Sequence, residues 1–292
     1  MITTIENDFL EVKTSQKGAE LYSIKSKKTG VEYLWQGDPE FWTDRSPVLF
    51  PICGRLFGGK YYYNGVEYKM DIHGFSRLLD FEVNKISNKT AEFTLKSNLQ
   101  TKKSYPFDFE FSLIYKLKNN ALITEYRVKN LDDKELIFSY GAHPGFRVPQ
   151  KNNEKFEDYY LEFSKSKLKK LVFSSTCFDL EKLEDLSLSE NKLFLRHELF
   201  DNDAIFIQTK TDAVKLKSIK NNSCVEVSYK DMTTLGLWHA PKTNAPYICI
   251  EPWHGLPSTD GVVDDLKTKK QMIKLEKNKT YENFYTIKII EN

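Results

Sequence analysis

Apolar and polar residues alternate with a period of two along much of the chain. In "FEFSLIYKL" (109–117), apolar side chains occupy every second position from Phe109 to Leu117, and Glu110 and Lys116 fall between them. The segments "TAEFTLKS", "ALITEYRVKN", "SCVEVSYK" and "NFYTIKII" repeat the pattern. A period of two is typical of strands with one buried and one solvated face, as in antiparallel sheets. The pattern therefore predicts many antiparallel strands.

Helix signals are few and weak. Asp38 and Pro39 in "GDPEFW" suit the N-cap and first position of a helix of one or two turns. The segments "STCFDLEKLED" (175–185) and "ENKLFLRHELF" (190–200) are predicted as short helices. With no fixed-period repeat and no Gly/Ser linker, we predict an all-β fold: one large antiparallel β-sandwich, a single domain over residues 1–292.

Composition narrows the class of protein. The 292 residues carry 43 Lys and Arg against 41 Asp and Glu, so net charge does not suggest a nucleic-acid partner. The start "MITTIENDFLEVK" lacks a signal-peptide pattern, and no apolar run approaches the roughly 20 residues of a membrane helix. No CxxC pair occurs, which favours reduced thiols at Cys53, Cys177, Cys224 and Cys249. We therefore expect a cytoplasmic protein with no membrane partner; its oligomeric state is not predicted.

Five short stretches rich in glycine and proline interrupt the strand pattern. Loops of this kind on a rigid scaffold often carry binding and catalytic groups. Each residue taken alone also has a structural interpretation, since a lone histidine in a β-protein is commonly a hydrogen-bonded structural group. The stretches are "SPVLFPICGRLFGG" with Arg55, "DIHGFSR" with His73, "YGAHPGF" with His143, "LFDNDAIF" with Asp201 and Asp203, and "CIEPWHGLPS" with Glu251.

Several site classes lack their usual signals. His239 and His254 lie near Glu251 in sequence, but the tight HxH or HExxH spacing common in zinc sites is absent. No GxSxG elbow, P-loop or dinucleotide fingerprint occurs. We therefore predict neither a metal nor a cofactor.

The ordered set "GRL", "HGF", "HPGF" and "EPW" resembles the aldose 1-epimerase (galactose mutarotase-like) family over essentially the whole chain, and most of all its shorter bacterial branch. The resemblance implies a large β-sandwich, the galactose mutarotase-like supersandwich, with an open cleft on one sheet. It implies that Glu251 is the general base and His143 the general acid. It also implies that His73 hydrogen-bonds the ring oxygen or a hydroxyl of the sugar.

The resemblance further implies sugar-binding roles for Arg55 and for Asp203, with Asp201 as the alternative aspartate. From residue type, Trp253 or Phe146 could flank a sugar ring. Gly145 stands where galactose-specific members usually have an aromatic residue, which argues against galactose specificity.

The predicted function is therefore interconversion of the α and β anomers of a hexose or hexose phosphate. Such an enzyme needs an acid and a base, which we expect as an imidazolium and a carboxylate on opposite sides of the sugar. Arg55, Arg77 and Arg147 lie beside the motifs and could bind phosphate or pair with carboxylates. The alternatives are a glycoside hydrolase that pairs Glu251 with Asp203, and a carbohydrate-binding protein without catalysis.

Overall fold

A computed structural model of the chain describes residues 1–174, 178–208 and 211–291. The fold is nearly all β, as predicted. The strands, in chain order, are β1 (Ile2–Glu6), β2 (Leu10–Ser15), β3 (Leu21–Ser26), β4 (Val48–Leu49), β5 (Lys60–Tyr63), β6 (Val66–Lys69), β7 (Glu82–Ser87), β8 (Thr90–Lys96), β9 (Phe109–Lys118), β10 (Ala121–Asn130), β11 (Leu136–Phe138), β12 (Tyr140–Ala142), β13 (Gly145–Arg147), β14 (Tyr159–Phe163), β15 (Leu168–Phe173), β16 (Phe178–Leu186), β17 (Lys192–Phe194), β18 (Ile205–Ile207), β19 (Ala213–Ser218), β20 (Cys224–Tyr229), β21 (Thr234–Trp238), β22 (Tyr247–His254), β23 (Ile273–Leu275) and β24 (Thr280–Ile290). The 3₁₀ turns are Phe57–Gly59, Ser76–Leu78, Thr101–Lys103, Phe156–Asp158 and His197–Phe200.

Two large sheets make up most of the molecule. The nine-stranded sheet has the order β17-β14-β19-β20-β24-β10-β9-β8-β7. The eight-stranded sheet has the order β16-β15-β18-β21-β22-β12-β4, and β13 also pairs with β22. Three small sheets, β1-β2-β3, β5-β6 and β11-β23, complete the fold. The named strands pair antiparallel throughout, so the antiparallel prediction is confirmed.

The main apolar core joins the two large sheets. Phe111 on β9 and Ile250 on β22 belong to the same buried cluster. Tyr126 on β10 and Tyr140 on β12 are in direct contact across the sandwich, with ring centroids 4.7 Å apart. Apolar burial of this kind stabilises the fold by roughly 25 cal/mol per Å² removed from water.

Strand β22 carries different residues on its two faces. Ile248 and Ile250 point into the main core. Because side chains alternate along a strand, Cys249, Glu251 and Trp253 point to the opposite, outer face of the eight-stranded sheet. Small apolar clusters cover that face, with Cys249 in one and Trp253 in another. A carboxyl group is thereby held on a rigid strand outside the main core.

The local predictions have mixed outcomes. Strands β9 and β10 form the expected hairpin, and Asn119 between them adopts a φ of +53°. The segment at 37–42 forms a single turn, in which the Trp42 N–H donates to the Asp38 carbonyl at 2.9 Å.

The two predicted helices at 175–185 and 190–200 are wrong. Residues 178–186 form β16, and 192–194 form β17, followed by a 3₁₀ turn; residues 175–177 lie outside the described part of the chain. Strand β16 is at the edge of its sheet, and its charged side chains pair across to β15, as in Lys169–Asp185 at 2.7 Å. Charges of this kind protect an edge strand but obscure the period-two pattern.

Candidate active site

A cleft of about 280 Å³ lies on the outer face of the eight-stranded sheet. Its volume is near the lower end for small-molecule sites. All six predicted site residues line it, although they come from distant parts of the sequence. They are Arg55, His73, His143, Asp203, Glu251 and Trp253.

Glu251 lies on the floor of the cleft and is 1% exposed. Its cross-strand neighbour on β21 is Gly236. A Cβ atom at Gly236 would lie 3.3 Å from Glu251 Cδ and 3.0 Å from the Phe206 ring, so glycine leaves space for the carboxyl group. Sequence reasoning missed Gly236, because its role depends on strand register. Glu251 Oε1 is buried without a hydrogen-bond partner.

His143 reaches the same floor from the end of β12. Gly141 on β12 pairs with Trp253, and a Cβ there would lie 2.6 Å from the indole, so β12 can approach only with glycine at this position. The Ile250 N–H donates to the Pro144 carbonyl at 3.1 Å, which ties the histidine loop to β22. His143 Nε2 lies 3.3 Å from Glu251 Oε2. The acid and base candidates are thus adjacent, and the expectation of opposite sides is wrong.

Burial shifts the pKa values of both members of this pair. It lowers the pKa of His143 to about 3, since an imidazolium there would lose its hydration. Burial, assisted by the charge of Asp203, raises the pKa of Glu251 well above its usual range. Both shifts favour the uncharged forms. They oppose the expected imidazolium and ionised carboxylate and favour a pair with no net charge, in which one dissociable proton is shared between the carboxyl group and the ring.

His73 is positioned by its backbone and by one hydrogen bond. It has a φ of +66°, which is unusual for a residue with a side chain. The Gly54 N–H donates to His73 Nδ1 at 3.1 Å. Burial lowers the pKa of His73 well below its usual range. A neutral ring whose Nδ1 accepts a bond carries its proton on Nε2, so this histidine can act as a hydrogen-bond donor.

Arg55 and Asp203 line the exposed side of the cleft. Arg55 Nη2 lies 3.9 Å from Asp203 Oδ2. Asp203 has a φ of +86°, and its carboxylate accepts from the Ala204 N–H at 2.9 Å. Asp201 ends the preceding 3₁₀ turn and does not line the cleft. Of the two candidate aspartates, Asp203 is the one near Glu251.

Aromatic side chains form much of the cleft lining. Trp253 is part of the floor, and its indole N–H donates to the Ala142 carbonyl at 3.2 Å. Trp42 and Trp238 pack beside His143, with ring centroids 5.1 Å and 5.7 Å away. Sequence reasoning missed both, because only strand register and packing bring them to the cleft. The suggestion that Phe146 flanks the sugar is wrong, because that ring is fully buried in the main core.

Gly145 allows one of these tryptophans to reach the site. A Cβ at this position would lie 3.1 Å from the Trp42 ring and 3.2 Å from Trp35 Cβ. Trp42 therefore packs against the space that an aromatic side chain at position 145 would enter.

Of the remaining arginine and histidine candidates, only Arg77 lies in the cleft. Arg77 lines the cleft and pairs with Asp44 at 3.5 Å, whereas Arg147 does not line it. His239 is buried elsewhere, where its Nε2 lies 3.2 Å from His197 Nδ1. His254 contacts the Asp231 carbonyl through Nδ1, so neither of these histidines lies in the cleft.

Three potential ligand atoms for a metal do meet beside the cleft floor. One donor atom each from His143, Cys249 and Glu251 lies within 4.8 Å of the other two. Cys249 precedes Glu251 by two residues on the same face of β22. A criterion based on HxH and HExxH spacing overlooks this arrangement.

Comparison with known proteins identifies the family. A family model described as Aldose 1-epimerase matches residues 1–288. The plasmid-encoded protein LacX of Lactococcus lactis subsp. lactis is 33% identical over 300 residues, covering 99% of this chain and 100% of LacX. The chain belongs to the aldose 1-epimerase family, and it is a carbohydrate epimerase of the isomerase class.

Solved structures agree with this assignment. A galactose mutarotase related enzyme from Lactobacillus acidophilus superposes with a TM-score of 0.95 at 36% identity, over 100% of this chain and 98% of that one. A galactose mutarotase-like protein from Lactobacillus casei gives 0.94 at 30% identity, over 99% and 100%. The predicted galactose mutarotase-like fold is confirmed. No helix in the described ranges is long and apolar enough to cross a membrane.

Proposed function

We propose that the protein is a mutarotase that interconverts the α and β anomers of a hexose, with Glu251 as general base and His143 as general acid. The observation that carries this proposal is the buried pair itself. His143 Nε2 and Glu251 Oε2 are 3.3 Å apart in the cleft floor, and Glu251 Oε1 has no partner. A buried polar atom without a partner indicates a hydrogen bond that a ligand completes.

The reaction requires two proton transfers, one at each of the two oxygen atoms bonded to C1. The base removes the proton of the C1 hydroxyl while the acid delivers a proton to the ring oxygen, and the C1–O5 bond breaks. Rotation about C1–C2 and the reverse transfers close the ring on its other face. Because both oxygens are bonded to C1, an adjacent acid and base fit the chemistry better than groups on opposite sides. Each positioned transfer contributes roughly 10²–10⁴-fold.

Sugar binding would complete the proton arrangement of the pair. A C1 hydroxyl that donates to Glu251 Oε1 stabilises the carboxylate, because a hydrogen bond to the charged form lowers its pKa. The single proton of the pair then moves to His143, across the 3.3 Å contact. A glutamate whose pKa is raised by burial is, once ionised, a stronger base than an exposed one.

The remaining residues bind and orient the sugar in this proposal. His73 donates from Nε2 to the ring oxygen or a hydroxyl, since Gly54 occupies its Nδ1. Arg55 and Asp203 bind hydroxyls, and Trp253 supports the apolar face of the ring. No cofactor takes part.

Local charge favours a neutral hexose as the substrate. Arg55 lies 3.9 Å from Asp203, and Arg77 lies 3.5 Å from Asp44, so a carboxylate competes with phosphate for each cleft arginine. A hexose phosphate is the second candidate, favoured by the buried Arg77 Nε, which has no hydrogen-bond partner.

We propose a cytoplasmic location, supported by the buried free thiols of Cys53, Cys224 and Cys249; Cys177 lies outside the described residues.

Polarimetry of freshly dissolved α-anomers tests the proposal. Glucose and galactose, free and 6-phosphorylated, are each followed with and without the protein. We expect faster equilibration of a free hexose, with a kcat/KM that is unchanged by added salt. A kcat/KM at least tenfold higher for a 6-phosphate and falling with salt would move the substrate to the phosphorylated class, because salt screens partly exposed charges.

The two rival functions have their own readouts. Release of the aglycone from aryl hexosides would identify a glycoside hydrolase. Binding of a sugar by calorimetry without any change in its equilibration rate would identify a binding protein without catalysis.

A further inference from the structure

The donor cluster beside the cleft floor contains one residue that the proposed reaction does not use. Cys249 is fully buried and shares a face of β22 with Glu251, while His143 approaches from the end of β12. The three donor atoms lie within 4.8 Å of one another. A thiol, an imidazole and a carboxyl group together form a donor set that zinc accepts.

The distances within the cluster suit a tetrahedral ion. Two ligand atoms, each about 2.0–2.1 Å from a tetrahedral zinc ion, are about 3.3 Å apart. His143 Nε2 and Glu251 Oε2 are 3.3 Å apart. The Cys249 sulfur lies within 4.8 Å of one donor atom from each of the other two residues.

A second observation points to a ligand at this place. Glu251 Oε1 is buried and has no hydrogen-bond partner. Glu251 is 1% exposed, and a buried polar atom without a partner indicates that a ligand binds there. A carboxylate can bind a metal ion through either oxygen, so the cluster offers an unpartnered ligand atom as well as suitable spacing.

We propose that His143, Cys249 and Glu251 bind a zinc ion, or a similar thiophilic divalent cation, that inhibits the enzyme. Binding releases the thiol proton and the proton shared by the pair to solvent, and it leaves a fourth coordination position for water from the cleft. With both members of the pair ligated, neither can transfer a proton to a sugar. The metal-binding inference does not depend on the proposed function; only the inhibition rests on it.

Cobalt(II) provides a spectroscopic probe of the site. Protein treated with EDTA and dialysed is titrated with Co²⁺ and followed in the near-ultraviolet, where thiolate ligation gives a charge-transfer band, and in the visible. We expect a saturable band at one Co²⁺ per chain that Zn²⁺ displaces. Cys249→Ser should abolish the band. Cys224→Ser is the matched control and should retain it, because Cys224 lies on β20 of the other sheet.

Inhibition is measured on the same samples. Zinc should slow mutarotation by the metal-free enzyme, EDTA should restore it, and Cys249→Ser should need at least tenfold more zinc for half inhibition of its own activity. Cys249→Ala replaces the serine variant if that one does not fold. No charge-transfer band in the wild type, or a band retained without Cys249, overturns the inference. Metal-free protein that binds Co²⁺ but never accelerates mutarotation would refute the proposed function instead.

Discussion

At the scale of the residue, the raised pKa of Glu251 predicts that its carboxyl group lowers the free energy of unfolding at neutral pH. Its folded-state pKa lies well above the unfolded value, so the folded protein keeps the proton that the unfolded chain releases above about pH 4.3. The contribution of Glu251 to the free energy of unfolding is therefore fully present below that pH, and it is lost as the pH rises toward the folded-state pKa. Glutamine has no such dependence. We expect Glu251→Gln to raise the melting temperature by a few degrees at pH 7 and to have little effect near pH 4.

The matched variant for this measurement is Glu226→Gln, which removes from β20 a carboxylate that is 25% exposed and lies 3.3 Å from Lys215. It should not raise the melting temperature at pH 7. A Glu251→Gln protein that melts below the wild type at both pH values would mean that the carboxyl group stabilises the fold.

His73 should act as a neutral donor and not as a titrating group. His73→Asn removes the imidazole, and asparagine tolerates the positive φ of this position better than most residues. We expect kcat/KM to fall by roughly 10–10²-fold, with both limbs of the pH–rate profile unchanged. Loss of one limb in this variant would show that His73 itself exchanges the proton.

At the scale of elements, the turn before Asp203 is tied to β21 by a histidine pair. His197 in the 3₁₀ turn lies 3.2 Å from His239, which follows β21. Burial lowers the pKa of His239 to about 4. An unfolded histidine takes up its proton below about pH 6.5. The unfolded chain therefore binds more protons between these values, and stability falls as pH drops through that window.

The lowered pKa of His239 predicts a measurable difference between the wild type and the variant His239→Gln. Between pH 7 and pH 5, wild type should lose about 2 kcal/mol more unfolding free energy than His239→Gln. Urea unfolding at the two pH values checks this, since any pH-independent cost of the substitution cancels. Equal losses in the two proteins would mean that His239 does not titrate as its burial indicates.

The strand that the sequence predicted best is β10, which buries every second residue. Strand β9 was also predicted, but it buries the continuous run from Phe111 to Tyr115, so its second face is largely covered as well. The helix prediction for the segment that forms β16 was wrong, because this edge strand exposes charged side chains in a run and so lacks the period-two pattern. The site residues Glu251, His143 and His73 were found as interruptions of the strand pattern. Gly236, Cys249, Trp42 and Trp238 were missed, because only strand register and packing bring them to the cleft.

At the scale of the whole molecule, we propose that residues 1–292 form one domain. The C-terminal strand β24 lies between β20 and β10 in the nine-stranded sheet, so early and late parts of the chain share one sheet. All four tryptophans lie on the cleft side, in the cleft lining or the small cluster around Cys249. We expect fluorescence, which reports on the cleft, and far-ultraviolet circular dichroism to give coincident urea transitions. Separate midpoints would contradict a single cooperative domain.

The central claim is that His143 and Glu251 catalyse proton transfer, and the rate of mutarotation in Glu251→Gln tests it most directly. Polarimetry of the sugar that wild type equilibrates fastest gives kcat, with circular dichroism to establish that the variant is folded. Because glutamine keeps the shape but not the base, we expect kcat to fall by on the order of 10²-fold or more, with a smaller change in sugar affinity. A folded Glu251→Gln protein with near-normal kcat would contradict the mechanism.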